Sequence, residues 1–334
     1  MVDAARCSAM VLMVMAGVGQ ALGSGHMTAN PAWQFGAVLL CGSAGCAAGV
    51  SWRRWGEVTG AYRSYLGRRL TRLAPSYLVS LSIFLLLASG TALKNGVSFL
   101  PDYGELLNPI VPSRTVAEAN PTWWVIQVLV ACALLTPIAA STSTLSGIAM
   151  GIVVCVAISA APDVMWSWHF AMTGSFVLCL ATSSNATKLP ATARVAISIG
   201  IILAVLLLGI SSWAQPSALA ATAGSVGIMA IASRRKTEIP RTSETLSQAA
   251  YPFLLVYPIA MGFGTQLTED ADAARILALL GIVVSMPLSI ALGMAIEKRM
   301  HAIGEKDSDL IEDMFGNERE LRDNPAGKEI FGND

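Results

Sequence analysis

Ten long apolar stretches constrain this chain more than any other feature of its sequence. A membrane-spanning helix needs roughly 20 consecutive apolar residues, whereas a barrel strand is about half as long and alternates in polarity. The length of the stretches therefore favours helices over strands. They lie at roughly 4–23, 33–52, 74–93, 121–140, 145–161, 164–182, 194–213, 216–233, 246–266 and 273–296. We predict an all-α polytopic membrane protein with about ten transmembrane helices, embedded in a lipid bilayer.

The composition agrees with a membrane location. Hydrophobic residues make up 54% of the chain and charged residues only 13%, against about 25% charged residues in an ordinary soluble domain. No basic patch with interleaved aromatic residues is present, so nucleic acid is not an expected partner. The six cysteines form neither a C-x-x-C pair nor a Cys/His cluster, so we expect no disulfide framework and no metal site.

Charges between the stretches predict how the chain is threaded. Basic residues concentrate after the second, sixth, eighth and tenth stretches, while the alternate loops are richer in acids. Because basic loops stay in the cytoplasm, one arrangement satisfies every loop: both termini are cytoplasmic. The first stretch is either a retained helix or a cleaved signal peptide, and charge counting does not separate these alternatives.

The sequence divides into two regions of different character. Residues 1–299 hold all the apolar stretches, whereas residues 300–334 are polar and rich in acids. Such a segment cannot bury a core, so we predict a flexible acidic cytoplasmic tail. A short amphipathic pattern at residues 309–315 makes this tail a candidate contact for a protein partner.

Three arginines crowd the entrance to the third stretch, in the segment YLGRRLTRLAPSYLVSL at residues 65–81. They are Arg68, Arg69 and Arg72. If this segment is helical, Arg69 and Arg72 share one face at a spacing of three residues. Guanidinium groups match phosphate geometry, but they also anchor a helix at anionic headgroups. Both interpretations remain open and are compatible.

Several motifs resemble the acyltransferase 3 family, whose members are ten-helix membrane enzymes that acylate envelope carbohydrates and related acceptors. In the opening segment VDAARCSAMVLMV, Asp3 and Arg6 match an aspartate and an arginine of the family's first helix. The segment RRLTRLAPSY resembles the family's Arg-x-x-Arg-x-x-Pro-x-Tyr motif through Arg69, Arg72, Pro75 and Tyr77. Residues 124–137 keep the family's spacing between a tryptophan and a proline, here Trp124 and Pro137. Residues 246–258, with Tyr251, resemble the family's late helix, and residues 296–300 resemble its closing segment.

The resemblance implies an activity and a set of site residues. Acyl-CoA would serve as a cytoplasmic co-substrate, no cofactor would be bound permanently, and an envelope sugar or lipid would accept the acyl group, acetyl being one candidate. The implied donor-binding residues are Arg68, Arg69, Arg72 and Tyr77, and the candidate acceptor-side residues are Trp123, Trp124, Asp102 and Glu105. Independently of the resemblance, the alanine-rich composition and the lack of a eukaryotic targeting signal favour the inner membrane of a bacterium as the location.

The departures from the family pattern bear on catalysis. The family usually has a histidine eleven residues after the arginine of the first helix, where this chain has Gly17, and often a histidine before a late proline, where it has Tyr257. The glutamate expected near Leu129 is also missing. His169 is then the candidate general base, with an interfacial histidine beside two tryptophans as the alternative. Two hypotheses follow: an active acyltransferase, or an inactive family member that serves as a membrane subunit or binding scaffold.

Overall fold

The computed structural model describes residues 2–23, 30–55, 61–95, 121–141, 144–159, 164–184, 216–232, 241–266, 268 and 270–323, and within parts of these ranges only the backbone. All regular structure in the described ranges is helical. The helices are α1 (Val2–Ala21), α2 (Pro31–Trp55), α3 (Ala61–Asn95), α4 (Pro121–Ser141), α5 (Thr144–Ser159), α6 (Val164–Ser184), α7 (Pro216–Ala232), α8 (Arg241–Gln266) and α9 (Ala271–Asp323).

These helices coincide with nine of the ten predicted stretches. The seventh stretch, at 194–213, lies outside the described residues. Within the described part, three helices are long and apolar enough to cross a membrane: Asp3–Ala21, Pro31–Gly49 and Ala271–Arg299. Two shorter apolar helices cover Trp123–Pro137 and Ala218–Met229. The all-helical class is confirmed, while ten spans and cytoplasmic termini remain predictions.

The arginine-rich segment is helical, which meets the condition under which Arg69 and Arg72 share one face. Helix α3 begins at Ala61, well before the apolar stretch, and continues through Pro75 to Asn95. The backbone therefore places Arg69 and Arg72 one helical turn apart. The side chains of Arg68 and Arg72 lie outside the described part of the structure.

Polar side chains cap the N-termini of two helices. The Asn30 side-chain oxygen accepts a hydrogen bond from the backbone N–H of Ala32 at 2.9 Å. The Asp270 carboxylate accepts one from the N–H of Asp272 at 3.0 Å. Each cap satisfies an N–H group that a helix start leaves without an intrahelical partner, which explains why α2 and α9 begin where they do.

Helix α2 lies at the centre of the described bundle, between α1, α6, α7 and α4. A buried polar cluster joins it to its neighbours: the hydroxyls of Ser175 on α6 and Ser225 on α7 are 2.7 Å apart. Each hydroxyl also lies within hydrogen-bond distance of the Val38 carbonyl of α2, at 3.3 and 3.4 Å, so one can donate to that carbonyl while the other donates to its neighbouring serine. Because burial without a partner is costly for a hydroxyl, these contacts fix how the three helices pack.

Helix α9 packs mainly against α8 and leaves much of its apolar surface uncovered. Exposed side chains along it include Ile276, Leu280, Val283, Val284 and Leu288. A continuous apolar face of this kind is unfavourable in water and matches a lipid-facing surface. The helix also continues past the apolar segment to Asp323, so the backbone of much of the predicted tail is helical, and the proposed division at residue 299 stays a prediction.

A proline within α8 leaves one backbone carbonyl free for a neighbour. Pro252 has no N–H to donate to the carbonyl of Gln248, four residues earlier. That carbonyl faces Gly293 of α9, where a Cβ atom would lie only 2.7 Å from the Gln248 oxygen. Glycine at this position therefore allows the two backbones to approach closely beside the break in the helical hydrogen bonding.

Candidate functional site

A cavity lies where α1, α3 and α8 converge with α2, α4 and α6, and we call it the arginine cavity. Two cations line it, Arg6 from α1 and Arg69 from α3, together with the aromatic rings of Tyr65 and Tyr251. The remaining wall is apolar and consists of Ala44, Leu73, Leu129, Ala133 and Phe176. Two guanidinium groups against an apolar wall form an environment suited to an anion that also carries an apolar part.

Arg6 is buried in this cavity, with only 5% of its surface exposed. Its Nη1 atom lies 3.3 Å from Oδ1 of Asp3, one turn earlier on α1. Its guanidinium carbon is 6.0 Å from the centre of the Tyr251 ring. Since a buried charge is stable only when it is paired and hydrogen-bonded, Asp3 and Tyr251 explain how the cation is held. Asp3 and Arg6, the two residues that match the family pattern in the first helix, thus form one ion pair.

Arg69 is held over an aromatic ring that is itself fixed. Its guanidinium carbon lies 5.4 Å from the centre of the Tyr65 ring, within the range of a cation–π contact. The Tyr65 hydroxyl donates to Thr136 Oγ1 of α4 at 3.0 Å, and Trp52 meets the ring edge-on with centroids 5.6 Å apart. Tyr65 therefore orients Arg69 toward the cavity.

The arginine cavity is narrow. Its unoccupied interior has room for little more than a single water molecule. A nucleotide or a pantetheine arm cannot enter without movement of the surrounding helices. In this arrangement the cavity is too small to enclose a ligand of that size.

Tyr251 also borders two further cavities. One is polar, beside Arg6, and is lined by Ser76, Gln248, Pro252, Gly293, Ile296 and Glu297 as well. The other is apolar and lined by Met13, Leu40, Val125, Ile126, Leu254 and Leu255. The single ring of Tyr251, which is buried, thus separates the arginine cavity from the interior of the bundle.

Tyr77 and Trp123 lie together inside the bundle. Their ring centroids are 5.8 Å apart, and Trp123 is fully buried. The Trp123 indole N–H donates to Ser80 Oγ at 2.8 Å. Trp124 is also buried and stacks on Trp33 with centroids 6.3 Å apart. The predicted donor role of Tyr77 and the predicted acceptor roles of both tryptophans remain predictions.

Gly17 and Tyr257, the two positions that depart from the family pattern, touch each other. A Cβ atom at position 17 would lie 2.7 Å from Cε2 of Tyr257. The Tyr257 hydroxyl donates to the Met13 carbonyl of α1 at 2.9 Å, and the side chain is fully buried. The phenol ring therefore occupies the space that a larger residue at position 17 would need.

His169 is buried at the start of α6, beside Trp166 and Phe170, with ring centroids 5.5 and 6.2 Å away. Its Nδ1 atom has no hydrogen-bond partner among the described residues. It lines none of the three cavities above. Its role as a base stays a prediction, and so do the acceptor-side roles of Asp102 and Glu105, which lie outside the described residues.

The described part of the chain contains no cluster of histidine, cysteine and acidic side chains suited to a metal ion. Within that part, the buried ionisable side chains other than cysteine and tyrosine are Arg6 and His169. Arg6 offers a positive charge that can bind an anion, and His169 offers an imidazole. Sequence reasoning did not single out Tyr65 for this site, although its position four residues before Arg69 on one helix face was visible.

Comparison with known proteins agrees with the resemblance seen in the sequence. The family model described as an acyltransferase domain, that of the acyltransferase 3 family, matches residues 2–297. No curated protein and no solved structure gives a significant match. Because the family match covers nearly the whole helical region, this chain belongs to the acyltransferase 3 family.

Proposed function

We propose that this protein transfers an acyl group from a cytoplasmic CoA thioester to a sugar or lipid of the cell envelope. The observation that carries the proposal is the presence of Arg6 and Arg69, from two different helices, in one cavity. Guanidinium groups bind phosphate through paired, charge-assisted hydrogen bonds. The phosphates of CoA are the anionic feature that this cavity would recognise.

The burial of Arg6 distinguishes donor binding from anchoring. An arginine that only sets topology works from the aqueous or headgroup region. Arg6 is instead removed from solvent and held by Asp3 and Tyr251. Keeping a cation inside a membrane protein is costly and is typical of a functional site, which supports a substrate role in addition to an anchoring one.

The transfer reaction requires a base as well as a donor site. The acceptor hydroxyl oxygen forms a bond to the acyl carbon, the thioester C–S bond breaks, and the hydroxyl proton passes to a base and then to the departing thiolate. His169 is the candidate base on its chemistry alone: it is a buried histidine whose Nδ1 has no hydrogen-bond partner among the described residues, and it lies outside the three cavities. We place the acceptor on the opposite side of the membrane, near Trp124 and the loop with Asp102 and Glu105.

Binding of CoA to the purified full-length protein in detergent tests the donor site. We expect Arg69→Ala to weaken CoA binding by about ten- to a hundredfold, since hydrogen bonds to charged groups contribute about 1.5–3 kcal/mol. Arg69→Lys, which keeps the charge but loses the planar fork, should give an intermediate loss. Arg275→Ala is the matched control because Arg275 is exposed and pairs only locally with Asp272. Equal affinity in all three variants would exclude the arginine cavity as the donor site.

A second candidate function is a catalytically inactive scaffold, and the contact between Gly17 and Tyr257 favours it. The phenol ring lies against Gly17, the position where the family resemblance implies a histidine, so a histidine there would have to displace the ring. A protein partner would then dock on the C-terminal segment beyond the membrane. Release of free CoA from acetyl-CoA separates the two functions: turnover lost in His169→Ala supports the enzyme, and donor binding without turnover supports the scaffold.

A further inference from the structure

The apolar cavity behind Tyr251 has no role in the donor site described so far. Its wall consists of Met13, Leu40, Val125, Ile126, Leu254 and Leu255, each of them buried. These six side chains come from four helices, α1, α2, α4 and α8. Apart from the Tyr251 hydroxyl, the lining side chains carry no hydrogen-bonding group, so the space is suited to a hydrocarbon group and not to a polar one.

The position of this cavity relates it to the arginine cavity. Met13 follows Arg6 by seven residues on α1, which places it about 10 Å deeper along the helix axis. Leu254 follows Tyr251 by one turn of α8. The cations, the Tyr251 ring and the apolar space therefore occur in that order from the first turns of α1 into the bundle.

We propose that the apolar cavity receives the acyl group of the donor and that Ile126 and Leu254 limit its length. This inference rests on the proposed function, because it assigns the second end of the same donor. A CoA thioester has anionic phosphates at one end and a hydrocarbon group at the other, joined by a pantetheine arm that enters only when the surrounding helices move. The two cavities that meet at Tyr251 offer the matching chemistry at the two ends, with guanidinium groups in one and, apart from Tyr251 itself, only apolar side chains in the other.

The size of the cavity selects a short acyl group. Its unoccupied interior is about as large as one water molecule, which is also close to the size of a methyl group. An acetyl group places one methyl there, whereas a butanoyl group brings two more carbons into a closely packed wall. Protein interiors accommodate such additions poorly because neighbouring side chains must leave their preferred rotamers.

Calorimetric titration of the purified full-length protein with CoA, acetyl-CoA and butanoyl-CoA tests the assignment. We expect the wild type to bind acetyl-CoA more tightly than butanoyl-CoA. Ile126→Ala removes three carbons from the wall and should raise the butanoyl-to-acetyl affinity ratio by about tenfold, since each buried methylene is worth roughly fourfold. Leu254→Ala should shift the ratio in the same direction.

Two variants on the exposed face of α9 serve as matched controls. Ile276→Ala and Leu280→Ala make the same chemical changes at positions that are 60% and 50% exposed, and they should leave the ratio unchanged. Ile126→Val removes a single methylene, which most cores tolerate, and should move the ratio by a smaller amount in the same direction. It keeps the test decisive if the alanine variants fold poorly.

The possible failures are distinguishable. Tight CoA binding that depends on Arg69, combined with an unchanged ratio in Ile126→Val and the foldable alanine variants, would overturn the acyl pocket while leaving the donor site intact. An equal shift in the α9 controls would also overturn it. Absence of binding by every CoA species would overturn the donor site together with the pocket.

Discussion

Tyr257 and Gly17 show how two residues on separate helices share one space. The phenol ring lies against the backbone of α1 and donates its hydroxyl hydrogen to the Met13 carbonyl. A side chain at position 17 would require the tyrosine ring at position 257 to move. Glycine at position 17 therefore leaves room for the Tyr257 ring.

A substitution at Gly17 should be costly only while Tyr257 is present. We expect Gly17→Ala to destabilise the protein by about 1–3 kcal/mol, because a buried ring must move to admit the new methyl group. The loss should shrink when Gly17→Ala is combined with Tyr257→Ala, as unfolding midpoints of the single and double variants would show. Gly67→Ala is the control, since a Cβ atom there meets nothing within 4 Å. If the losses in unfolding free energy of the two single variants simply add in the double variant, the methyl group added by Gly17→Ala and the Tyr257 ring do not compete for the same space.

At the scale of helices, one hydroxyl connects three elements. Ser80 of α3 accepts a hydrogen bond from the Trp123 indole of α4 and donates one to the Leu255 carbonyl of α8, both at 2.8 Å. All three residues are buried. Removing a buried partner leaves the remaining polar groups desolvated without compensation, so Ser80 fixes the spacing of the helices around Tyr77 and Trp123.

Ser80→Ala should lower the free energy of unfolding in detergent by about 1–3 kcal/mol, because the Trp123 N–H loses its acceptor. Ser82→Ala is a matched control on the same helix. The Ser82 hydroxyl is exposed and bonds only to the Leu78 carbonyl of its own helix, so its loss should be within about 0.5 kcal/mol. Similar losses in the two variants would show that the hydrogen bonds of Ser80 to α4 and α8 contribute little to the free energy of unfolding.

For the molecule as a whole, apolar length predicted the helices well. Nine of the ten predicted stretches coincide with described helices, because a long apolar run has few alternatives to a helix in lipid. The spacing of Arg69 and Arg72 predicted a shared face on condition that the segment is helical, and α3 meets that condition. The contact between Gly17 and Tyr257 was not, since 240 residues separate them in the sequence and only tertiary packing brings them together. The sequence pattern also could not predict that Arg6 and Arg69 line the same cavity, because they lie on different helices and only tertiary packing brings them together.

The predicted threading is testable at two exposed positions. Tyr62 precedes the arginine segment and Asp272 starts α9, and both side chains are exposed. If the arginine end faces the cytoplasm, a membrane-impermeant maleimide should label Asp272→Cys in intact cells and Tyr62→Cys only after permeabilisation. Labelling of Tyr62→Cys in intact cells would reverse the orientation and remove access of cytoplasmic CoA to the arginine cavity.

The proline beside Tyr251 bears on how so narrow a cavity can admit a donor. At Pro252 the helix already lacks one backbone hydrogen bond, and the freed Gln248 carbonyl lies against Gly293. Bending α8 at this joint would start from a point where the helix is already weakened, and it would move the Tyr251 ring that borders all three cavities. A small pivot of a single helix would thus widen the entrance to the arginine cavity.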